Sequence, residues 1–540
     1  MLIDKFKLLL ITLLLIVPSV IFTRHLGGSA LEIPSNIITW FLMSLFVCVS
    51  AIGIIQEKRI RWSKNSTTLF LFFFLISLTY LLNHGLELVG FQIFLAVLLS
   101  CLFFISLQQY RFCINSVLSI LILLSIYHAC LAYSQLFNIN SIASFFYIST
   151  TNRVTSTFLQ PNIFAVIQVI GIAAVTMKYL EKRINIKLFL PMYIFLAVAN
   201  FISYSRTGAL SIFCIFIYVM FLKKNDRKFI MLFLISNILA ILLAYYFLEI
   251  NNKITNKVII GDPVRFDLYV VSFKIFFENW LCGFGYGDFS RNFFFHMREV
   301  GTDNQYLLSN SLIHPHNEIL YWTLMGGILN LIGIFYLTWK VIKDNLKYLD
   351  RYLILFVPIL VNLFFEQAFI NFSYLLFLFL FFIAILERNG IETTCYNIKY
   401  RNLTKRILIN SLIIVSIIIT FIGFHGIYSI NYVTELAMKK NVIEAIKSID
   451  KIGTPLMGKE LFENTLNVLI YNAAIKTKND QLINESINYW EKKVNYLPSG
   501  KVYIMLANLY YVKNDAKKLE ELDVKARYYI NMKLKYNNEK

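Results

Sequence analysis

Two histidines, His314 and His316, stand in SLIHPHNEILYWTLMGG (311–327), directly before an apolar run. Imidazole has an unperturbed pKa of about 6.5, so it exchanges a proton near neutral pH, and either ring is a candidate general base. Pro315 stiffens the entry to the run, and Asn317 can fix a ring's orientation. A metal reading is weaker. Zinc sites favour histidines at i, i+4 on a helix, and an i, i+2 pair across a proline is poor geometry. Asn317 or Glu318 can instead cap the helix that follows.

Three further stretches hold polar residues beside apolar runs. Arg206 lies in SYSRTGAL, in a very short turn between two runs. A cation there is either a snorkelling interfacial arginine or an anion site helped by the N-terminus of the next helix. Arg265 opens RFDLYVVSFKIFFEN (265–279), which carries a helical apolar stripe and reads as an interfacial helix. Downstream, Gly283, Gly285 and Gly287 alternate in GFGYGDF, where the backbone can turn tightly or approach a ligand closely. No Rossmann-type strand precedes them, so a dinucleotide fingerprint is excluded. In LQPNIFA (159–165), Pro161 suits a first helical turn, with Gln160 and Asn162 at its mouth. Those amides are ordinary helix-start chemistry or groups that orient a sugar or its diphosphate.

The elements that must position these residues are apolar. Hydrophobic residues make up 58% of the 540, with 49 Phe, and mean hydropathy is +0.62. Long apolar runs with short basic gaps predict an all-α polytopic membrane protein of about thirteen transmembrane helices. The runs fall near 8–23, 36–55, 67–83, 91–108, 112–137, 162–179, 188–203, 208–222, 229–248, 319–339, 352–366, 369–386 and 407–430. On one side, the connecting segments carry 24 Lys and Arg; the short loops opposite carry three, Arg24, Arg153 and Arg206. The positive-inside rule then predicts a cytoplasmic N-terminus and an external C-terminus. Most of the net charge of +19 is therefore topological, which argues against a nucleic-acid partner. The seven cysteines form no CxxC pair and read as small buried hydrophobes. The expected domains are 1–150, N-terminal transmembrane helices; 151–430, a membrane domain with an external loop at 249–318; and 431–540, a small helical external domain. In the last, Leu482–Lys493 and Val502–Ala516 suggest paired amphipathic helices, faintly like a tetratricopeptide repeat.

Taken in order, SYSRTGAL, Arg265 with the GFGYGDF glycines, and HPHNEILYWTLMGG resemble the O-antigen ligase superfamily. LQPNIFA and the polar tail resemble its bacterial protein O-oligosaccharyltransferase branch, the pilin glycosylases. The likeness covers roughly 150–385. It implies a multi-pass inner-membrane enzyme that moves a preassembled glycan from undecaprenyl diphosphate, on the periplasmic face, without metal or cofactor, to a hydroxyl of a pilin-like protein. It places the essential histidine on His316, assisted by His314, and the diphosphate-binding arginines on Arg206 and Arg265. It places substrate-orienting groups on Gln160, Asn162, Asn317 and Glu366. Where pilin-glycosylating members often carry Glu-Tyr-Pro, this chain keeps Glu366 but continues Gln367-Ala368, which leaves Tyr374 as the tyrosine nearby. An O-antigen ligase acting on lipid A-core, an O-antigen polymerase and, from another class, a polysaccharide flippase are the alternatives. A flippase places charges at mid-membrane and shows internal repeats, neither of which the sequence has.

Overall fold

A computed structural model describes residues 2–21, 33–82, 88–139, 153–158, 160–223, 225–251, 263–286, 315–345, 352–366, 368–390, 394–397, 459–496, 498–530 and 532–534, with scattered positions in 289–296 and 404–436. Hydrocarbon offers the backbone no hydrogen-bond partner, so apolar runs must close their own bonds as helices. In chain order these are α1 (Leu2–Val20), α2 (Pro34–Glu57), α3 (Lys64–Leu82), α4 (Leu88–Gln108), α5 (Ile114–Leu136), α6 (Pro161–Leu180), α7 (Ile186–Ile202), α8 (Arg206–Leu222), α9 (Arg227–Ile250), α10 (Pro263–Glu278), α11 (Glu318–Asn345), α12 (Val357–Phe365), α13 (Ala368–Asn371) and α14 (Ser373–Gly390). Among the described residues six helices are long and apolar enough to cross a membrane, and shorter apolar helices accompany them. The chain is an all-α polytopic membrane protein. The expected run at 407–430 lies mostly outside the described residues. One feature has no counterpart in the sequence reading: β1 (Arg59–Trp62) pairs antiparallel with β2 (Thr394–Asn397), Arg59 opposite Asn397.

The chain divides into two compact units, 1–73 with 96–260 and 334–420, and 74–95 with 261–333 and 421–540. In the first, α6 is the hub. Its side chains are buried without a break from Phe164 to Met177, as expected of a helix that is apolar all round. It packs on α5, α7, α8 and α12. Small residues let the backbones approach, and polar ones tie them. Ser125 of α5 donates its hydroxyl to the Ile167 carbonyl at 2.9 Å, while Gln168 Nε2 donates to the Ser125 carbonyl at 3.1 Å. Gly171 lies against the same serine; a Cβ there would fall 2.3 Å from Ser125 Cβ.

In the second unit the tail forms two helical hairpins, α15 (Lys459–Thr477) with α16 (Asp480–Tyr496) and α17 (Gly500–Val512) with α18 (Ala516–Ile530). The first helices of the two hairpins also touch, as do α16 and α17. Ile430, Val433 and Leu436 share a core with Phe462, Leu466, Leu469 and Ile470 of α15. Glu491 of α16 accepts from Lys518 of α18 at 2.8 Å and from the Tyr510 hydroxyl of α17. Burial pushes the Glu491 carboxyl up, but these bonds outweigh it and hold the group below its ordinary range.

The α5–α6 knot is testable. Gly171→Ala should lower the thermal midpoint of the detergent-solubilised protein, by about 1–3 kcal/mol of overpacking. Ser125→Gly in the same chain should return most of the loss, because it removes the atoms the new methyl meets. Tryptophan fluorescence on heating reads both.

Candidate functional site

In the first unit, the SYSRTGAL turn joins α7 to α8. Ser205 is the N-cap of α8, its Oγ accepting from the Gly208 amide at 3.2 Å. Arg206 is the first residue of that helix and is exposed. Tyr204 takes a left-handed backbone, φ 53°. The turn is gripped from the α6 side, because Ser205 Oγ also donates to Asn162 Oδ1 at 2.8 Å, and Asn162 Nδ2 donates to Glu366 Oε1 at 2.6 Å. Glu366 is buried at the C-cap of α12. Three stretches remote in sequence thus share one polar chain, Ser205–Asn162–Glu366. Gln160 precedes α6 and is exposed; it makes no side-chain cap to that helix. Pro161 opens α6, as its fixed φ favours. The nearby tyrosine has another employment: Tyr374 is buried and donates its hydroxyl to the Leu15 carbonyl at 2.8 Å. Gly208 is tight as well, since a Cβ would fall 2.3 Å from Asn200 Oδ1.

In the second unit, Arg265 lies in the first turn of α10. That helix buries Leu268, Val271, Ser272 and Ile275, and exposes Phe266, Val270, Phe273 and Phe277. An exposed apolar stripe at this spacing suits a lipid surface. His316 is half-buried, with φ 50°, directly before α11. Left-handed backbone is uncommon for a residue with a Cβ, histidine being among the more tolerant. Asn317 is the cap: its Oδ1 accepts from the Leu320 amide at 2.9 Å. Glu318 is buried, and its Oε1 accepts from Trp322 Nε1 at 2.9 Å. The capping role open for Asn317 in the sequence is therefore present. His314 lies outside the described residues.

The described glycines let two backbones meet. At Gly327, φ 67° and ψ −160° break α11 in two. Such a break strands backbone groups of the preceding turn. The Leu324 and Met325 carbonyls receive the amides of Phe284 and Gly285, at 3.2 and 3.1 Å. The Ile328 amide reaches the Trp280 carbonyl at 2.7 Å. Asn330 Nδ2 supplies the Trp322 carbonyl at 3.1 Å and the Tyr286 hydroxyl at 2.7 Å, and that hydroxyl also pairs with Thr79 at 2.8 Å. Two backbones meet here, so neither side has room for a Cβ. One at Gly283, φ 71°, would fall 2.4 Å from the Met325 oxygen, and one at Gly327 would fall 2.3 Å from the Leu281 oxygen. The loop 279–286 is thus the splint of a broken helix whose N-terminus carries His316. Gly287 lies outside the described residues.

Residues 191–335 match a family model described as O-antigen ligase. The matched stretch is less than half the chain and contains Arg206, Arg265 and His316. No curated protein matches the chain. The match supports the O-antigen ligase superfamily, and with the apolar helices it supports a multi-pass membrane enzyme of the glycan-transferring, ligase type.

Two outcomes are expected. Gly283→Ala and Gly327→Ala should each lower the thermal midpoint, since a left-handed residue with a Cβ costs about 1–2 kcal/mol before any clash, whereas His316→Gly should leave it nearly unchanged. In the first unit, Asn162→Asp sets two carboxylates against each other and should destabilise the protein. Adding Glu366→Gln restores a donor–acceptor pair and should recover most of that loss in a double-mutant cycle.

Proposed function

We propose that this protein is an O-linked oligosaccharyltransferase of the inner membrane. It moves a preassembled glycan from undecaprenyl diphosphate to a serine or threonine hydroxyl of a pilin-like protein on the periplasmic side. The observation that carries the reading is where the three matched residues sit. Arg206 and Arg265 each stand in the first turn of a helix, and His316 directly precedes one whose N-terminus Asn317 caps. Helix N-termini favour anions, and a fixed guanidinium fork matches phosphate oxygens.

A glycan on a diphosphate is already activated. The acceptor hydroxyl is a poor nucleophile at its own pKa, so a positioned base is the first requirement. The imidazole of His316 takes the hydroxyl proton as the oxygen attacks the anomeric carbon, with His314 assisting. The bond from that carbon to the diphosphate oxygen breaks, and the electron pair leaves with the lipid diphosphate. Arg206 and Arg265 neutralise the charge that grows there. The attack comes from the face opposite the leaving group, so the configuration inverts. The imidazolium then returns its proton to solvent. Gln160, Asn162, Asn317 and Glu366 orient substrate or the elements around it; the Asn162–Glu366 pair does so through the turn that carries Arg206. The exposed Phe stripe of α10 suits the membrane surface from which a lipid-linked donor arrives. The polar tail favours a protein acceptor over lipid A-core.

The test is transfer by the purified full chain in detergent, from lipid-linked oligosaccharide to pilin, read as intact mass. Wild type should add one glycan mass. His316→Ala should cut transfer by about 10²–10⁴-fold, the usual contribution of a general base. Arg265→Lys, which keeps charge and loses the fork, should raise the donor KM. Transfer to lipid A-core but never to pilin would favour the O-antigen ligase alternative, and no transfer to any acceptor would sink the proposal.

A further inference from the structure

Arg153 is one of three cations in short loops that the charge pattern otherwise empties of Lys and Arg; Arg206 is another. The structure gives the two a common setting within the first unit. The half-buried guanidinium of Arg153 reaches just past the C-terminus of α7. Its Nε donates to the Ser203 carbonyl at 3.0 Å, and its Nη2 to the Tyr204 carbonyl at 2.8 Å. These are the carbonyls at the negative end of a helix, where a cation is favoured. Arg206 follows two residues later.

The segment that brings Arg153 there is itself held firmly. Gln135 of α5 accepts from the amides of Thr155 and Ser156, at 3.1 and 2.8 Å, and donates to the Ser156 carbonyl at 2.7 Å. Ser156 is left-handed, φ 56°, with its hydroxyl 3.2 Å from His128 Nδ1. Thr157 donates to the Ser19 carbonyl at 3.0 Å, which ties the segment to α1. Six residues thus share six side-chain bonds with two helices, and what they deliver is one arginine.

Burial lowers the pKa of Arg153, the Arg206 cation lowers it further, and the Glu366 carboxylate raises it. A guanidinium and a carboxylate therefore both act on Arg153. A phosphate bound beside two neighbouring guanidinium groups would ease their mutual repulsion. Arginine has five N–H donors, of which the two carbonyls use two.

We infer that Arg153 is a further donor-binding residue, which braces the Ser203–Tyr204 carbonyls with two N–H groups and presents the others, beside Arg206, to a phosphate of the lipid diphosphate. This rests on the donor chemistry proposed above. The arrangement couples the two tasks: the bonds that fix the turn also fix the fork, so little ordering remains when the phosphate arrives.

The experiment uses the full chain in nanodiscs, with undecaprenyl diphosphate as the binding probe and lipid-linked oligosaccharide as the donor in turnover. Arg153→Met should weaken probe binding by about tenfold or more, as loss of a charge-assisted hydrogen bond does. The donor KM should rise more than kcat falls. Arg153→Lys keeps the charge and should bind the probe better than Arg153→Met. If Arg153→Met binds as wild type does, the inference is overturned while the proposed function stands. If both variants lose kcat equally with donor KM unchanged, Arg153 only props the turn, and the inference is again overturned. Should Arg153→Met fail to fold, Arg153→Lys decides alone, wild-type affinity counting against the inference and weaker binding for it. A wild-type chain that neither binds the probe nor transfers glycan removes the proposed function itself.

Discussion

An apolar surround gives a stranded backbone amide or carbonyl nothing to bond with, and each unpaired group there costs several kcal/mol. That constraint governs where this protein can interrupt a helix. Gly327 breaks α11, and the carbonyls released by the break are met by the amides of Phe284 and Gly285 and by Asn330. The turn between α7 and α8 releases the Ser203 and Tyr204 carbonyls, and Arg153 meets them. In both places an irregular backbone is held by fixed donors of the protein. Irregular backbone is also where a polar side chain can be presented, which is why the candidate residues gather beside these breaks and not in the middle of the long helices.

The sequence was informative about the helices and about the local starts of elements. Runs of Leu, Ile and Phe dictated the spans; Pro161 marked the start of α6, and the SYSRTGAL turn that of α8. Pairings between distant stretches were not legible. Asn162 and Glu366 are adjacent in space but separated by some two hundred residues, and no local pattern encodes their bond. The same holds for Gln135 on the 153–158 segment and for the β1–β2 ribbon. The glycines at 283 and 285 illustrate an intermediate case. Their spacing announced a close approach, but to a ligand or to another backbone reads the same in sequence. The answer came from what occupies the space: the Met325 carbonyl at Gly283.

Charge follows a similar division. The basic residues of the connecting segments are numerous. Those of the short opposite loops are few, and one of them, Arg153, feels both the Glu366 carboxylate and the Arg206 cation. Glu366 is buried and hydrogen-bonded through Asn162 to Ser205, which fixes its charge beside the turn that carries Arg206.

For the general base proposed at His316, stiffness and reactivity go together. A general base works through its position, because loss of about an ångström in alignment forfeits much of the rate. Its backbone is left-handed, a conformation that persists only when the surroundings over-determine it. Pro315 limits φ on one side, and the Asn317 cap starts a helix on the other. Beneath, the glycine splint and the Tyr286–Asn330–Trp322 bonds lock the first half of α11. His316 is one of eight described non-glycine residues with a positive φ; at this one, the proposed base gains a backbone fixed on both sides.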